Sequence, residues 1–150
     1  MATALTAQSL PVLVGRPLGH SSWIEITQDR INRFAEVTGD HQWIHVDEER
    51  ARNGPFGKTI AHGLLTLSMI GVMAKDVFVF EGFRFGVNYG YEKVRFPTPV
   101  PVGSKVRLAA QVLSFAPMGA TLQAIIQLTV EAEGQAKPAC VAEMIFRLMP

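Results

Sequence analysis

The sequence contains a single cysteine, Cys140, among 150 residues. One cysteine excludes an intramolecular disulfide framework and is typical of proteins that work in a reducing compartment. Cys140 lies in the strand-like segment Pro-Ala-Cys-Val-Ala-Glu. We therefore expect a buried, unreactive thiol rather than a nucleophile.

An excess of charge is also lacking, since 14 basic residues face 13 acidic ones with no run of one sign. This balance argues against a nucleic-acid-binding tract or a basic membrane patch. No basic residue precedes Arg16, and the apolar run from Leu10 to Val14 is too short for a signal core or a membrane span. We expect a cytoplasmic protein without a membrane segment.

Internal repeats and a phosphate-binding glycine-rich loop are absent as well. Gly82, Gly86 and Gly90 recur at intervals of four, but they lie in a strand-like region without a strand-to-helix transition. The length and a hydrophobic content of 48% suit a single domain over residues 1–150 with a well-buried core. Residues 1–10 have no periodicity, and we expect them to form a loose arm.

Two helices carry most of the helical signal. Thr27 is a good N-cap for a helix with apolar residues at helical spacing, and Gly39 is well placed as its C-terminal cap. From His62 to about Val79 the chain is apolar nearly all round, which predicts a helix buried on most sides. Ser68, inside this segment, has no nucleophile motif around it and is expected to be a buried helix serine.

The second half of the chain is rich in Val, Ile, Phe, Leu and Thr, with breaks at Pro and Gly, which predicts long strands joined by short loops. A short strand is also expected at residues 23–26. The predicted long strands cover residues 85–96, 105–115, 121–133 and 139–148. Short loops favour an antiparallel meander, so the predicted fold is α+β: one long buried helix wrapped by a curved antiparallel sheet.

The most informative chemistry lies between Phe34 and Asp47, where Asp40 and His45 are five positions apart among apolar neighbours. Taken singly, Asp40 reads as a turn aspartate and His45 as a satisfied core histidine. Taken together, they favour an acid/base pair that meets at one water molecule. An aspartate near apolar groups and an imidazole poised near neutrality can move a proton in both directions.

A metal site is the alternative, because His41 and His45 have i, i+4 spacing and further potential ligands lie nearby. These further residues are Asp40, Asp47 and His62. Against a metal, the segment begins with a helix stop, the aspartates do not share a face with both histidines, and no cysteine is near. We therefore expect no metal.

His62 and Gly63 begin the apolar helix, where first-turn amides lack intrahelical partners. A substrate carbonyl oxygen would satisfy the Gly63 amide, and glycine allows close approach of a ligand. The alternative is that Gly63 only permits tight packing against the sheet.

These residues resemble a known family. The pattern Phe34-Ala35-x-x-Thr38-Gly39-Asp40-x-Gln42-x-Ile44-His45-x-Asp47, followed by Ala61-His62-Gly63, is similar to the hydratase motif of the MaoC-like dehydratases, the R-specific enoyl-CoA hydratases of hot-dog fold. The form Asp-His-Gln-Trp-Ile-His, with Asn88–Pro97 downstream, resembles the branch that includes the NodN-like proteins. The resemblance covers the chain from about residue 18 onward.

The resemblance implies a helix wrapped by a sheet, a homodimer with active sites at the subunit interface, and an acyl-CoA thioester as substrate without a bound cofactor. Asp40 and His45 would hold the catalytic water, and the Gly63 amide would hold the thioester oxygen. Gln42, Trp43 and His62 are candidates for contact with the substrate. Family members tend to carry Asn and Pro where this chain has Gln42 and Trp43, so acyl-chain size is open.

The expected reaction is hydration of a trans-2-enoyl-CoA to the (R)-3-hydroxyacyl-CoA. Asp40 would take a proton from water as it attacks C3, and His45 would supply the proton to C2. Lys93 or Arg95 would meet CoA phosphates, unless they serve as surface or strand-pairing charges. The alternatives are a hot-dog thioesterase and a non-catalytic acyl-CoA-binding protein, since fold alone does not fix function.

Overall fold

The computed structural model describes every residue from Met1 to Pro150. It contains five helices: α1 (Leu10–Leu13), α2 (Gln28–Thr38), α3 (Trp43–Val46), α4 (Glu48–Arg52) and α5 (Gly63–Val77). It contains eight strands: β1 (Thr3–Leu5), β2 (Pro17–His20), β3 (Ile24–Glu25), β4 (Phe78–Phe80), β5 (Phe85–Arg95), β6 (Lys105–Met118), β7 (Thr121–Ala132) and β8 (Cys140–Met149).

The main sheet has six strands, in the order β2-β6-β7-β8-β5, with β3 also paired to β6. All its pairings are antiparallel. Every second residue of β6 and β7 points into the core, as the alternating burial of residues 106–112 and 124–132 shows. The four predicted long strands and the α+β arrangement are confirmed.

Helix α5 crosses the concave side of this sheet and buries Leu65, Met69 and Met73 against it. It ends at Val77, two residues before the predicted end, because Phe78 begins strand β4. One face is open, since Leu64 is 61% exposed. The prediction that Ser68 is buried is wrong, because Ser68 lies on that open face and donates to the Leu64 carbonyl at 2.7 Å.

Helix α2 begins and ends as its sequence predicts. The Thr27 hydroxyl accepts a hydrogen bond from the Arg30 amide, and Gly39 adopts a left-handed φ of 78° while its amide bonds to the Ala35 carbonyl. Only glycine adopts this conformation readily, so the helix stops immediately before Asp40.

The expectation of a loose arm at residues 1–10 is wrong. Strand β1 pairs in parallel with β4, and Leu5 and Leu10 are both fully buried. The arm is therefore part of the core at the far end of α5. Two apolar residues are too few to produce a periodic pattern, and their partner strand lies more than seventy residues away in sequence.

Two further features bear on the sequence analysis. Cys140 is buried, and desolvation raises the pKa of its thiol to about 11. This agrees with the expectation of an unreactive cysteine, since the thiolate is the reactive form. No helix of the structure combines the length and the apolar character needed to cross a membrane.

Candidate active site

Asp40 lies in the short loop between α2 and α3, with its side chain exposed to solvent. Its Oδ1 accepts a hydrogen bond from the Gln42 amide at 3.3 Å, so it forms the local turn that aspartates commonly make. This contact orients the carboxylate and leaves its remaining acceptor positions free.

His45 is buried in α3, where its Nδ1 lies 2.7 Å from the carbonyl oxygen of Ile60. A carbonyl oxygen only accepts hydrogen bonds, so Nδ1 carries the proton in the neutral ring and Nε2 is left as an acceptor. Desolvation by burial is the largest effect on the pKa of His45 and lowers it, and the nearby His62 lowers it further. The hydrogen bond to Ile60 and the charge of Asp40 raise the pKa, but the net shift is downward. His45 is therefore a neutral base at physiological pH.

His62, the residue immediately before α5, stacks on His45, with ring centroids 3.8 Å apart and planes 23° from parallel. Its Nε2 lies 3.0 Å from the backbone carbonyl of Asp40, to which it donates. Its Nδ1 is the one buried side-chain nitrogen or oxygen in the chain that has no hydrogen-bond partner. His62 thus connects the loop of Asp40 to the ring of His45.

A carboxylate oxygen of Asp40 and one ring nitrogen each of His45 and His62 lie within 4.8 Å of one another. All three residues were among the five potential ligands named from the sequence, but the spacing there paired His45 with His41, which is not in this group. Imidazole binds zinc in the plane of its ring at about 2.0–2.1 Å. The lone pair of each ring nitrogen lies in the plane of its ring. Because the two rings are stacked and nearly parallel, their planes intersect much farther away than a metal–nitrogen bond length. The arrangement therefore does not suit both histidines as ligands of one ion.

A cavity of about 290 Å³ opens beside His45. Its lining is mainly apolar and includes His45, Phe56, Gly63, Thr66, Phe96 and Thr98. Asp40 does not line this cavity, although its carboxylate belongs to the 4.8 Å group that contains His45. A space with a mainly apolar lining thus lies beside His45 and the N-terminus of α5.

Gly63 is the first residue of α5. The first hydrogen bonds of that helix run from the amides of Leu65 and Thr66 to the His62 carbonyl, so the Gly63 amide has no intrahelical acceptor. A Cβ added at Gly63 would lie 3.2 Å from the Phe96 ring. The tight packing considered as an alternative is present, and it coexists with an amide available to a ligand.

Three predicted substrate contacts lie outside the cavity lining. Gln42 is exposed at the start of α3. Trp43 lies under the Arg50 guanidinium and packs on Gly54 so closely that a Cβ added there would lie 3.0 Å from its ring. His62 is 3% exposed and stacks on the ring of His45. Because α3 turns the Trp43 ring toward α4, Trp43 braces the turn at Gly54 instead of shaping the cavity.

The predicted CoA-binding cations also have other contacts. The Lys93 ammonium lies 3.9 Å from Glu143 on the neighbouring strand, and the Arg95 guanidinium donates to the Val94 carbonyl. Both contacts are those expected of strand-pairing and surface charges.

Three residues that line the cavity were not predicted from the sequence: Phe56, Phe96 and Thr66. Thr66 was open to prediction, because it follows Gly63 by three positions and therefore shares its helix face. Phe56 and Phe96 lie in loop and strand-end positions that approach Gly63 only in the folded chain.

The sequence and the fold both have counterparts among known proteins. Residues 9–136 match the family model described as MaoC like domain. The 3-hydroxyacyl-thioester dehydratase Z of Mycobacterium tuberculosis is 49% identical over 148 residues, which cover 98% of each chain. Nodulation protein N of Rhizobium meliloti is 45% identical over 137 residues, covering 89% of this chain and 84% of that protein.

Solved structures with the same fold include R-hydratase PhaJ1 from Pseudomonas aeruginosa, with a TM-score of 0.74, 24% identity and coverage of 91% of this chain and 81% of that chain. The (R)-hydratase from A. caviae involved in PHA biosynthesis has a TM-score of 0.74 at 20% identity, covering 91% and 96%. These likenesses establish the hot-dog fold. The family model matches most of the chain, the Mycobacterium tuberculosis relative is 49% identical over nearly its full length, and the motif around Asp40 and His45 agrees with both. The chain therefore belongs to the MaoC-like dehydratase family.

Proposed function

We propose that this protein catalyses the reversible, (R)-specific hydration of a trans-2-enoyl-CoA to the (R)-3-hydroxyacyl-CoA. The observation that carries the proposal is a neutral His45, with Nε2 unprotonated, beside Asp40 and the free amide of Gly63. A relative named as a 3-hydroxyacyl-thioester dehydratase supports the substrate class. The CoA thioester is the substrate. Because hydration changes no net oxidation state, the reaction requires no redox cofactor.

In the proposed first step, a water molecule donates one hydrogen bond to Asp40 and the other to Nε2 of His45. The water oxygen attacks C3 while its proton passes to Nε2. The electron pair of the C2–C3 double bond moves toward the thioester, and the Gly63 amide stabilises the resulting enolate oxygen. The negative charge of Asp40 stabilises the imidazolium that forms. This agrees with its effect in the free protein, where Asp40 raises the pKa of His45.

In the second step the imidazolium of His45 returns its proton to C2, and the enolate collapses to the thioester. Water has then been added across the double bond, and the enzyme has returned to its starting protonation state. This assignment differs from the sequence-based expectation, in which Asp40 removed the proton and His45 supplied another. Because Nδ1–H is bonded to Ile60 and the pKa is lowered, Nε2 has no proton to supply at the start.

The test is hydration of crotonyl-CoA by Asp40→Asn and His45→Gln, followed as loss of the enoyl absorbance. Each variant should lose about 10²- to 10⁴-fold in kcat, the usual contribution of a general acid or base. His41→Gln, an exposed histidine one residue after Asp40, is the matched control and should remain near wild type. Hydration at the wild-type rate by either site variant would remove the role proposed for that residue.

The same assay separates the two rival functions. A thioesterase would release free CoA thiol from a saturated acyl-CoA, which a thiol reagent detects. A non-catalytic protein would bind enoyl-CoA without consuming it. We expect loss of the enoyl absorbance without thiol release.

We also propose that the protein is a homodimer formed along β5, the edge strand of the sheet. Its residues Phe85, Val87, Tyr89 and Tyr91 are exposed, although they are large and apolar. Edge strands with exposed apolar side chains are templates for pairing with another chain.

The continuous core of 26 buried residues, which runs from β1 to β8, supports one domain over residues 1–150. A cytoplasmic location fits the single reduced cysteine.

A further inference from the structure

We propose that the hydroxyl of Thr66 is a second hydrogen-bond donor to the thioester oxygen, beside the Gly63 amide. The inference rests on the proposed function, since it concerns the same substrate. Thr66 lines the cavity together with His45 and Gly63. It is only 2% exposed, yet its hydroxyl makes no hydrogen bond within the chain.

The other helical hydroxyls behave differently. Three serine or threonine residues lie in the helices of this protein: Thr38, Thr66 and Ser68. Thr38 donates to the Phe34 carbonyl at 2.7 Å and Ser68 to the Leu64 carbonyl at 2.7 Å, each four residues earlier. This back-bond is the usual local solution for a helical hydroxyl. Thr66 lacks it, although the corresponding carbonyl, that of His62, is present and accepts the Thr66 amide.

A hydroxyl that the chain itself leaves unpaired is generally satisfied by water or a ligand in native proteins. The Thr66 hydroxyl is not enclosed by protein, because the residue borders the cavity. Its partner must therefore come from the contents of the cavity.

The direction of the Thr66 side chain identifies that partner. Side chains on a helix lean toward its N-terminus, so a residue three positions after Gly63 covers the turn that begins at Gly63. The hydroxyl of Thr66 and the amide of Gly63 are thereby directed at the same region of the cavity. Convergent donors of this kind stabilise the oxyanion of an acyl group, and here they would bind the oxygen that becomes an enolate.

The proposed bond strengthens as negative charge moves onto the oxygen, so it stabilises the transition state more than the bound substrate. Its loss should lower kcat more than it raises KM. A hydrogen bond to a charged group corresponds to a change of roughly ten- to a hundred-fold in rate.

The test uses the full-length protein with crotonyl-CoA. Thr66→Val removes the hydroxyl at nearly constant volume and should lower kcat about ten- to a hundred-fold, with KM changed by less than about three-fold. Thr66→Ser keeps the hydroxyl and should restore most of the rate. Thr129→Val, the same substitution on strand β7 and outside the site, controls for the change of side chain.

A second measurement reads the hydrogen bond without turnover. Butyryl-CoA labelled with ¹³C at its carbonyl should show a lower carbonyl stretching frequency when bound to the wild-type protein, and a smaller shift in Thr66→Val. If Thr66→Val does not fold, as judged by thermal unfolding, Thr66→Ala takes its place in both measurements. An unchanged kcat together with an unchanged carbonyl shift would overturn the role of Thr66.

The two proposals fail separately. Absence of crotonyl-CoA hydration by the wild-type protein would refute the proposed function, while the carbonyl shift would still report on Thr66. Wild-type hydration combined with full activity of Thr66→Val would leave the function intact and refute only the second donor.

Discussion

At the scale of single residues, the neighbours of His45 determine its chemistry. The Ile60 carbonyl fixes the proton on Nδ1, and burial disfavours the imidazolium form. The stacked ring of His62 occupies one face of His45, so the ring has little freedom to turn. One edge of the ring, with Nε2, is thereby left for water.

The lowered pKa of His45 predicts the acid side of the pH profile. Protonation of Nε2 removes the acceptor that the mechanism requires, so kcat/KM should fall at low pH. Because the pKa lies below 6.5, the ordinary value, the apparent pKa of this acid limb should also lie below 6.5. The measurement is kcat/KM for crotonyl-CoA across the acid range, and an acid limb at or above pH 6.5 would contradict the assignment.

Unfolding provides an independent check on the same group. The unfolded chain binds more protons than the folded one between the lowered pKa of His45 and 6.5. Stability contributed by the neutral ring is therefore fully present above pH 6.5 and is lost as the pH falls toward the folded pKa. His45→Gln should lack this part of the pH dependence of the free energy of unfolding.

Asp40, His45 and Gly63 could be identified from the sequence, because a helix stop, a five-residue spacing and a helix start are all local features. The stacking of His62 on His45 could not, since it depends on how the loop after α2 folds against the start of α5. The same holds for Trp43: only the path of α3 shows that its ring turns toward Gly54. Local patterns thus indicate the candidate residues, whereas the contacts that hold those residues in place are visible only in the tertiary structure.

At the scale of elements, α5 is held at both ends. Its N-terminus lies at the candidate site, and the strand that follows its C-terminus pairs with β1. The long strands and α2 were predictable because alternation and capping residues recur within each segment. Strand β1 was not, because three residues paired in parallel with a distant segment leave no periodic signal.

Leu5→Ala tests whether β1 is part of the core. Leu5 is fully buried, so its truncation should lower the free energy of unfolding by about 2–5 kcal/mol. Urea denaturation measures this change. Val12→Ala, at an exposed position of α1, is the control and should change the free energy by less than about 0.5 kcal/mol. Equal free energies of unfolding for the two variants would contradict the packing of β1 in the core and would favour a loose arm at residues 1–10.

At the scale of the whole molecule, four large apolar side chains of one edge strand, β5, are exposed: Phe85, Val87, Tyr89 and Tyr91. Strand β5 pairs with β8 on one side and has no neighbouring strand on the other. A second copy of β5 would pair with the free backbone groups and cover the exposed aromatic side chains.

Val87→Glu tests the proposed dimer. Val87 lies opposite Arg147 on β8, so a glutamate is tolerated within one chain. In the proposed dimer each new charge would be desolvated in an apolar interface, which favours the monomer. Sedimentation velocity should show a dimer for wild type and for the exposed helix control Val37→Glu, and a monomer for Val87→Glu. A monomeric wild-type protein would refute the dimer.

The burial of Cys140 has a practical consequence for spectroscopy. With its pKa raised to about 11, the native thiol is almost entirely protonated at neutral pH and is shielded from reagents. A cysteine introduced on the surface would therefore be the sole attachment point for a spin label or fluorophore, with no need to replace Cys140. Labels placed on α2 would then report the distance between two copies of the chain in solution.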